Sequence, residues 1–479
     1  MKTYNKYLAS LIAFAFVGCT DYVEGINENP HQLGVKDAES KNIFQSALLA
    51  NQYFQTTNNV RNTMLWMNQA NGEDRQYVPL NNWNNNTSSD SDSAWNLAYV
   101  NCLTQIKIGE EKANMENNAK SLGALQIIEA SCVGTITSLW GDIPYSEFDI
   151  NKDNNKPKFD KQSDVYKQLQ LLLDQSIVNL SKAGAIPGSL DIYYGGNTTK
   201  WTQLAYSLKA RYYLHVKDYA NAKSNALKGI NTASNDFKAI FGGTTSGQNF
   251  NPFYEFLEYE RPGYMSGKGY APSLLNPASP LSRNNSKTDE SARSGFIYTG
   301  ALGDESLNID GLDNDEENGK FGSDSSLPLV TYGEMLLIIA EVDARTSLSA
   351  GVTSYNKYRA LLDTGYSIGV SNSGYAGLTF NYDVYADADF NSGGMENLDN
   401  ITPTNALLRE IYQERYIYFL GNYEAFTDFR RTSNIAQIVL KSGFTGTPQR
   451  LIYAQDEINT NPNVPSPLPT ITTKTEVHN

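Results

Sequence analysis

The sequence predicts an all-α protein built of tetratricopeptide-like helical hairpins with long ordered loops, and two observations favour this fold class. Apolar residues recur at three- and four-residue steps in several segments, for example at Leu122, Leu125 and Ile128, which is the pattern of one helix face. Two such segments, around Leu208 and Ala222, are separated only by a short turn at 217–218. Two amphipathic helices joined so closely are typical of a tetratricopeptide-type hairpin.

The predicted helices follow one another along most of the chain. Gly141 and Pro144 end the segment that begins at residue 119, because glycine and proline stop helices. Ser163 has the chemistry of an N-cap for the next helix. The predicted helices cover residues 38–57, 94–115, 119–140, 163–182, 201–216, 219–230, 331–346 and 354–363.

Four long stretches lack helical periodicity and are rich in Gly, Asn, Ser, Asp and Tyr: residues 58–93, 232–330, 366–404 and 440–479. Disordered segments are poor in aromatic residues, whereas these stretches contain many, so we expect ordered loops. Loops supported by a rigid scaffold are the usual place for a binding site. We therefore look for the ligand site in these loops.

Residues 1–18 have the parts of a secretory signal peptide. Lys2 and Lys6 are followed by an apolar run at 8–17, which is too short to span a bilayer. The run ends in "FVGC", which resembles a bacterial lipobox and predicts cleavage before Cys19 with lipid attached to its thiol. An ordinary signal peptide with an incidental cysteine is the alternative. We expect residues 19–479 to form one domain that the lipid alone attaches to a membrane.

The bulk composition excludes one class of partner. The formal net charge is −14, and phosphate contacts need clustered Lys and Arg, so we expect no nucleic-acid ligand. Cys102 and Cys132 both lie in helical segments. They are either buried hydrophobic residues or a disulfide pair, and the sequence does not decide between these.

Catalytic motifs are weak in this chain, so we expect a protein that is not an enzyme. "GYSIG" around Ser367 matches the nucleophile-elbow pattern, but it follows a helical segment rather than a strand. The only later histidine is His478, next to the last residue. Paired carboxylates are plentiful without a spacing that selects one pair, so a surface glycoside hydrolase is a less favoured alternative.

The acidic stretch "NIDGLDNDEENGKFGSD" is the best candidate for a metal site, and no other cofactor is expected. Asp313, Asp315 and Glu317 alternate, and their hard oxygen ligands suit Ca²⁺. The stretch departs from the EF-hand pattern because Asn318 stands where the turn glycine belongs. A solvated acidic loop without metal explains the same residues.

Several motifs occur in the order found in the SusD/RagB-like family of Bacteroidetes outer-membrane lipoproteins, which this sequence resembles. They cover most of the mature chain. They are the lipobox with "TDYVEGINENPH", then "SLWGDIPYSEF", "KFDKQSDVYKQLQLLLDQSI", "DIYYGGNTTKWTQLAYSLKARYYLHV", "LVTYGEMLLIIAEVDAR" and "ERYIYFLGNYEAFTDFRRT".

The resemblance implies a SusD-like helical fold and a non-enzymatic, lipid-anchored protein at the surface of the outer membrane. Such a protein captures an oligosaccharide, or in some members a peptide, and passes it to a SusC-like TonB-dependent transporter. The motifs carry no catalytic residues. We expect the motif residues to be structural, with Trp140 and Trp201 buried and with Glu341, Arg345, Arg430 and Arg431 in helix-end or inter-helix pairs.

The ligand residues themselves are predicted from chemistry, because the ligand loops of the family vary. Sugars stack on aromatic rings, and their hydroxyls bond to amides and guanidinium groups. The loop "EDRQYVPLNNW" combines these groups, and "YERPGYMSGKGY" adds tyrosines. Trp83 would serve either as the stacking platform or as a plug for the scaffold or the transporter interface. The predicted ligand residues are Arg75, Tyr77, Asn82, Trp83, Tyr264 and Tyr270.

Overall fold

Long helices packed side by side form the scaffold of the protein. The computed structural model describes residues 39–151, 156–245, 247–310, 318–368 and 374–478. Lys41–Asn479 form one compact unit, whereas only residues 39 and 40 of Met1–Ser40 are described. Cys19, Asp313, Asp315 and Glu317 lie outside the described residues, so the lipidation and calcium predictions stay predictions.

The α-helices vary from single turns to twenty-two residues. They are α1 Ser40–Thr56, α2 Asn58–Trp66, α3 Tyr77–Leu80, α4 Asp92–Asn96, α5 Thr104–Met115, α6 Ala119–Trp140, α7 Gln162–Leu180, α8 Thr198–His215, α9 Tyr219–Ala226, α10 Pro252–Tyr254, α11 Tyr270–Leu275, α12 Ser291–Ile297, α13 Tyr332–Thr346, α14 Leu348–Leu362, α15 Asp387–Phe390, α16 Pro403–Tyr418, α17 Glu424–Arg431 and α18 Gln455–Thr460. Two π-helical turns, Leu97–Leu103 and Glu255–Glu260, interrupt this pattern.

The predicted hairpins are confirmed as a continuous array. Helix α6 packs on α5 and α7, α7 on α8, α8 on α9, and α9 on α13, which in turn packs on α14 and α16. Lys217 has a positive φ of 63° in the turn between α8 and α9, and Asp218 caps α9 through Asn221 N. Short turns of this kind make the joined helices antiparallel neighbours.

The β-structure consists of short antiparallel pairs. The strands are β1 Asn71–Gly72, β2 Phe237–Ala239, β3 Met265–Ser266, β4 Thr288–Asp289, β5 Tyr298–Thr299, β6 Ser306–Leu307, β7 Leu327–Val330, β8 Gly374–Tyr375, β9 Leu378–Thr379 and β10 Asn381–Tyr382. The pairs are β1–β3, β2–β7, β4–β10, β5–β6 and β8–β9, with an irregularity in β2 between Phe237 and Lys238. The protein is thus predominantly helical, as predicted.

Element boundaries differ from the sequence prediction in several places, including the following three. Helix α7 begins at Gln162, so Lys161 rather than Ser163 holds the cap position. The predicted helix 94–115 is divided by the π-helical turn at 97–103. The predicted loop 58–93 contains helix α2, whose apolar side Val60, Met64 and Leu65 is too short to stand out among asparagines.

The motif tryptophans are buried, as the family resemblance implied. Trp140 and Trp201 are fully buried; Trp140 Nε1 donates to Ile452 O at 2.9 Å, and Trp201 Nε1 donates to Asp191 Oδ2 at 2.8 Å. These bonds fasten loop segments to α6 and α8. The prediction for both residues is confirmed.

The charged motif residues form a buried network between α13 and α17. Arg431 donates two hydrogen bonds to Glu341, at 2.6 and 2.8 Å, and Arg345 lies 3.3 Å from the same carboxylate. Arg430 lies in the last turn of α17, and its guanidinium donates to backbone carbonyls, Ser138 O in α6 and Gln449 O, rather than to a carboxylate. Buried charges are tolerated when every donor and acceptor is satisfied in this way.

Helix α6 and the two cysteines belong to the core. Helix α6 is long and apolar enough to cross a membrane, the one described helix with that property, but most of it is buried against its neighbours. Burial on all sides is what a core helix of a globular protein shows. Cys102 and Cys132 are buried free thiols, which supports their interpretation as small hydrophobic residues.

Candidate functional site

Strand pairing brings together the two loops that the sequence predicted to carry the ligand site. Asn71 pairs with Ser266 and Gly72 with Met265 in the β1–β3 ribbon. A further bond from Glu73 N to Tyr264 O, at 2.8 Å, extends the pairing by one step. Residues nearly two hundred positions apart in sequence therefore form one rim.

Glu73 fastens this rim by its side chain. It accepts hydrogen bonds from Ser266 Oγ at 2.5 Å and from Asn71 Nδ2 at 3.0 Å, and Lys268 Nζ lies 3.8 Å away. Partial burial alone would raise the pKa of Glu73, but these hydrogen bonds and the lysine charge lower it below its usual value. Glu73 is therefore an ionised anchor that holds the two loops together.

Gly72 allows the following loop to turn tightly behind the rim. A Cβ at this position would lie 2.0 Å from Tyr77 O, so only glycine fits. Asn81 secures the same turn, because its Oδ1 accepts from Gly72 N at 2.9 Å and its Nδ2 donates to Gly72 O at 2.8 Å. The result places Tyr77 directly against the second loop.

The inner wall of the site is aromatic. The ring centroid of Tyr77 lies 4.9 Å from that of Phe256 and 6.1 Å from that of Tyr264. The guanidinium of Arg61 stacks over Phe256 at 4.2 Å and donates through Nε to Tyr77 Oη at 3.3 Å. Arg61 is buried, so it fixes the wall instead of projecting into solvent.

An open groove runs along this wall, formed by two adjoining cavities that share Arg61 and Glu260. One cavity has a volume of about 540 Å³, and its lining includes Gln76, Tyr77, Tyr259 and Arg261. The other has a volume of about 570 Å³ and lies between α1 and the 240–255 segment. We call the two together the aromatic groove. Each cavity is large enough to hold a small ligand.

The exposed rings of the aromatic groove are Tyr53 and Tyr259, whose exposed fractions are 57% and 54%. Phe250 stacks on Tyr259 with ring centroids 5.7 Å apart and planes inclined by 20°. Tyr254 completes the cluster, edge-on to Phe250 at 5.1 Å. Exposed, supported rings of this kind offer flat apolar faces to a ligand.

Of the predicted ligand residues, Tyr77 lies in the wall of the groove, whereas Arg75 and Tyr264 contact each other outside the lining of the two cavities. Arg75 is exposed, and its guanidinium lies 5.8 Å from the ring centroid of the half-buried Tyr264. Tyr77 lines the groove but is 7% exposed, so most of its ring serves the wall. The ligand role of these three residues stays a prediction.

Trp83 is the main correction to the predicted site. Its side chain is 2% exposed, and its ring packs edge-on against Phe444 at 5.0 Å. Its Nε1 donates to Thr445 O at 3.1 Å. No open ring face is left for a sugar, so Trp83 plugs the scaffold, which was the alternative interpretation.

Asn82 and Tyr270 also lie apart from the groove lining. Asn82 caps the short 3₁₀ turn at 83–85 by accepting from Asn84 N at 3.0 Å. Tyr270 begins α11, where its backbone N donates to Asn68 O at 2.7 Å and its ring lies 6.3 Å from that of Tyr416. Burial raises the pKa of Tyr270, which marks it as a partly desolvated packing residue.

Tyr53, Phe250 and Tyr259 are not among the ligand residues predicted from the sequence. A signal was present, because "FNPFYEFLEYE" places aromatic residues at 250, 253, 254, 256 and 259, in a stretch otherwise read as loop. Spacings of three and four residues there indicate helical turns, which the structure shows as α10 and the π-helical turn. Phe253 and Phe256 are buried, Phe250 and Tyr254 are half-buried, and Tyr259 is exposed.

The geometry of the groove suits binding, and the structure gives no support to catalysis at the "GYSIG" motif around Ser367. Ser367 lies in a 3₁₀ turn after α14, not at the end of a strand, and its hydroxyl has no hydrogen-bond partner among the described residues. His478 Nδ1 instead shares a hydrogen bond with Thr475 Oγ1. Within the described ranges, no group of three or more His, Cys, Asp and Glu is arranged to hold a metal ion.

Comparison with known proteins gives a family and a fold. The family model SusD-like, described as starch-binding and associating with the outer membrane, matches residues 34–453. No curated protein shows significant similarity to the chain.

Solved structures with the same fold cover nearly the whole chain. A SusD/RagB family protein from Bacteroides thetaiotaomicron has a TM-score of 0.61 and 20% identity, covering 89% of this chain and 95% of its own. A chitin-binding SusD homologue from Flavobacterium johnsoniae has a TM-score of 0.65 and 15% identity, covering 91% and 98%. A SusD homologue from Bacteroides fragilis has a TM-score of 0.67 and 14% identity, covering 92% and 100%.

Proposed function

The chain belongs to the SusD-like family of starch-binding proteins that associate with the outer membrane, and we propose that it is a cell-surface lipoprotein that binds an oligosaccharide and delivers it to a SusC-like TonB-dependent transporter. The observation that carries the binding step is the aromatic groove, where Tyr53 and Tyr259 are more than half exposed. The transporter partner rests on the family alone.

Glycan is the favoured cargo for two reasons. A solved relative with this fold is described as chitin-binding, and the family is described as starch-binding. The groove also combines what a sugar needs: the ring of Tyr259 for its C–H face, and Gln76 and Arg261 for its hydroxyl groups. Delivery requires release, so we expect micromolar or weaker affinity.

The direct test measures glycan binding by calorimetry on wild type, Tyr259→Ala and Tyr53→Ala. The probes are maltoheptaose, chitohexaose and a mixed set of oligopeptides. Losing one stacking contact should weaken glycan binding about five- to tenfold, which corresponds to roughly 1 kcal/mol. Tyr206→Ala is the matched control, because this tyrosine lies on α8 outside the groove lining.

Each alternative predicts a different result in the same experiment. Peptide binding without glycan binding, lost in Tyr259→Ala, would establish the oligopeptide alternative. New reducing ends that accumulate with sustained turnover would establish the glycoside hydrolase. Glycan binding that Tyr259→Ala and Tyr53→Ala leave unchanged would remove the aromatic groove as the site.

Two further features belong to the proposal. Residues 1–18 are removed as a signal peptide, and a lipid on Cys19 is the only attachment to the membrane. A structural Ca²⁺ at Asp313, Asp315 and Glu317 would raise the melting temperature relative to protein in excess chelator. An identical melting temperature with chelator and with added Ca²⁺ would leave these residues as a solvated acidic loop.

A further inference from the structure

A second cavity lies apart from the aromatic groove and shares no lining residue with it. Its volume is about 360 Å³, at the lower end of the range for small-molecule sites. Strands β2 and β7, helices α12 and α16, and the 3₁₀ turn Tyr366–Ile368 contribute its walls. We call it the Lys320 cavity after one of its lining residues.

Three cationic side chains among the described residues line the Lys320 cavity, and two of them have a carboxylate partner. Arg293 donates to both oxygens of Glu290, at 2.8 and 2.6 Å, and to both oxygens of Glu414, at 2.6 and 2.9 Å. Lys238 Nζ lies 3.5 Å from Asp236 Oδ2. These two side chains therefore bring their own counter-charges.

Lys320 is the exception. Its backbone N donates to Phe296 O at 2.9 Å, but its Nζ has neither a hydrogen bond nor an ion pair in the described part of the chain. Burial lowers the pKa of Lys320 to about 8, and the charges of Arg293 and Lys238 add to the effect. An amine with no partner in a partly desolvated cavity costs stability, and an anion would relieve that cost.

The rest of the lining suits a sugar ring. Phe296 and Tyr375 pack edge-to-face with centroids 5.4 Å apart, and Tyr366 and Tyr418 lie nearly parallel at 6.5 Å. Tyr366 Oη donates to Asp236 Oδ2 at 2.7 Å and Tyr332 N donates to Asp236 Oδ1 at 2.8 Å, so this carboxylate already has hydrogen-bond donors. Hydroxyl groups of Ser326 and Ser367 have no partner among the described residues.

We propose that the Lys320 cavity binds one acidic sugar unit, whose singly charged oxyanion pairs with Lys320 while its ring packs against the tyrosines. Among the described residues, one ammonium of the lining has no counter-charge, and it matches one negative charge. A uronate or a sulfated sugar carries one negative charge, whereas a phosphate dianion carries two. The volume holds about one ring rather than an oligosaccharide. The proposal does not rest on the aromatic groove, because the two sites share no residue.

The test measures binding of D-glucuronate, glucose 6-sulfate and glucose by calorimetry at pH 7 to wild type and Lys320→Met. We expect at least one of the two charged sugars to bind wild type, and glucose to bind at least tenfold more weakly. Lys320→Met should bind the charged sugar at least tenfold more weakly than wild type does. Lys167→Met is the control, because the side chain of Lys167 is 74% exposed, and it should leave the affinity for the charged sugars unchanged. Which charged sugar binds identifies the oxyanion.

A second readout separates charge pairing from loss of packing. At pH 8, anion binding favours the ammonium form of Lys320, so binding should take up protons, seen as a heat that depends on the buffer. Lys320→Met should show no uptake and an unchanged or higher melting temperature. Equal binding of glucose, no binding of either charged sugar, or unaltered binding by Lys320→Met would each overturn the proposal.

Discussion

Glu341 shows how one buried carboxylate couples stability to pH. Its side chain is fully buried on α13 and accepts two hydrogen bonds from Arg431. Burial alone would raise the pKa of Glu341, but Arg431, with Arg415 and Arg345, lowers it from 4.5 to about 2. The unfolded chain therefore binds a proton at a pH where the folded chain does not.

The contribution of Glu341 to stability decreases as the pH falls, because its pKa is lower in the folded chain than in the unfolded chain. Stability from Glu341 is fully present above about pH 4.5 and is lost as pH falls toward 2. Glu341→Gln should lower the free energy of unfolding by about 3 kcal/mol at pH 7, because Arg431 loses a buried ionic partner. Urea denaturation at pH 7, 5, 4 and 3 should show this difference shrinking below pH 4.5.

An exposed pair provides the control for Glu341. Asp164 lies 2.7 Å from Lys167 on the surface of α7, and Asp164→Asn should leave the urea midpoint unchanged at pH 7. A Glu341→Gln difference that stays constant from pH 7 to pH 3 would show that the loss comes from packing and not from ionisation.

Trp83→Phe distinguishes packing from ligand contact at one residue. The substitution removes the Nε1 donor to Thr445 O and part of the ring that fills the space beside Phe444. The free energy of unfolding should fall by about 1–2 kcal/mol, while glycan affinity stays within twofold of wild type. Binding that is lost at unchanged stability would restore Trp83 as a ligand platform.

Lys441 joins three elements beneath the groove rim. Its Nζ donates to Leu65 O in α2 at 3.0 Å, to Ala70 O before β1 at 2.8 Å, and to Asn81 Oδ1 at 2.8 Å. Burial lowers the pKa of Lys441 from 10.5 to about 7, although the charge of Glu73 opposes the shift. The side chain of Lys441 therefore connects these three segments beneath the rim, although its burial favours the neutral amine.

This lowered pKa predicts a rise in stability with pH. Between about pH 7 and 10.5 the unfolded chain retains a proton that folded Lys441 releases, so the free energy of unfolding increases across that window. Relative to Lys441→Met, wild type should gain up to a few kcal/mol between pH 7 and 9.5, measured by urea denaturation. Lys158→Met, at an exposed site, should give a flat difference, and a flat difference for Lys441→Met would contradict the prediction.

Most of the long helices, although not α16, could be predicted from sequence because their signal is local. Helix α6 repeats apolar residues over twenty-two positions, and its end is marked by Gly141 with a φ of 82°. Helix α2 could not be predicted in this way, because its nine residues contain three asparagines and its buried side is recognised only once the loops pack on it.

The candidate site could be predicted only in part, because burial and exposure of its side chains depend on contacts between segments that are distant in sequence. The composition of the two loops located the rim, which β1 and β3 then assembled. Composition could not tell that Trp83 would be buried, because the segment that covers it, at 444–445, lies about 360 residues away in sequence. Nor could it tell that Tyr259 would be exposed, because exposure depends on which scaffold faces remain uncovered.

At the scale of the whole molecule, buried residues and exposed residues have different roles. The helical array and its ion networks hold a fixed framework, while Tyr53 and Tyr259 remain exposed on one groove. A rigid framework keeps the entropic cost of binding low, so a few shallow contacts suffice for capture. Shallow contacts also permit release, which the proposed delivery to a transporter requires.

Cys19→Ala tests whether a lipid on this cysteine attaches the protein to the outer membrane. A lipidated Cys19 would carry acyl chains that each add about 0.8 kcal/mol of anchoring per buried CH₂, enough for stable attachment when several chains insert. In the native host, wild type should incorporate labelled palmitate and sediment with the outer membrane. Cys19→Ala should do neither, and its purified form should bind glycan as wild type does.

Cys102→Ala is the matched control because it removes a buried thiol of the scaffold, and it should still incorporate palmitate and sediment with the outer membrane. Unchanged membrane retention of Cys19→Ala would remove the lipid anchor and leave the glycan-binding proposal standing on the groove alone.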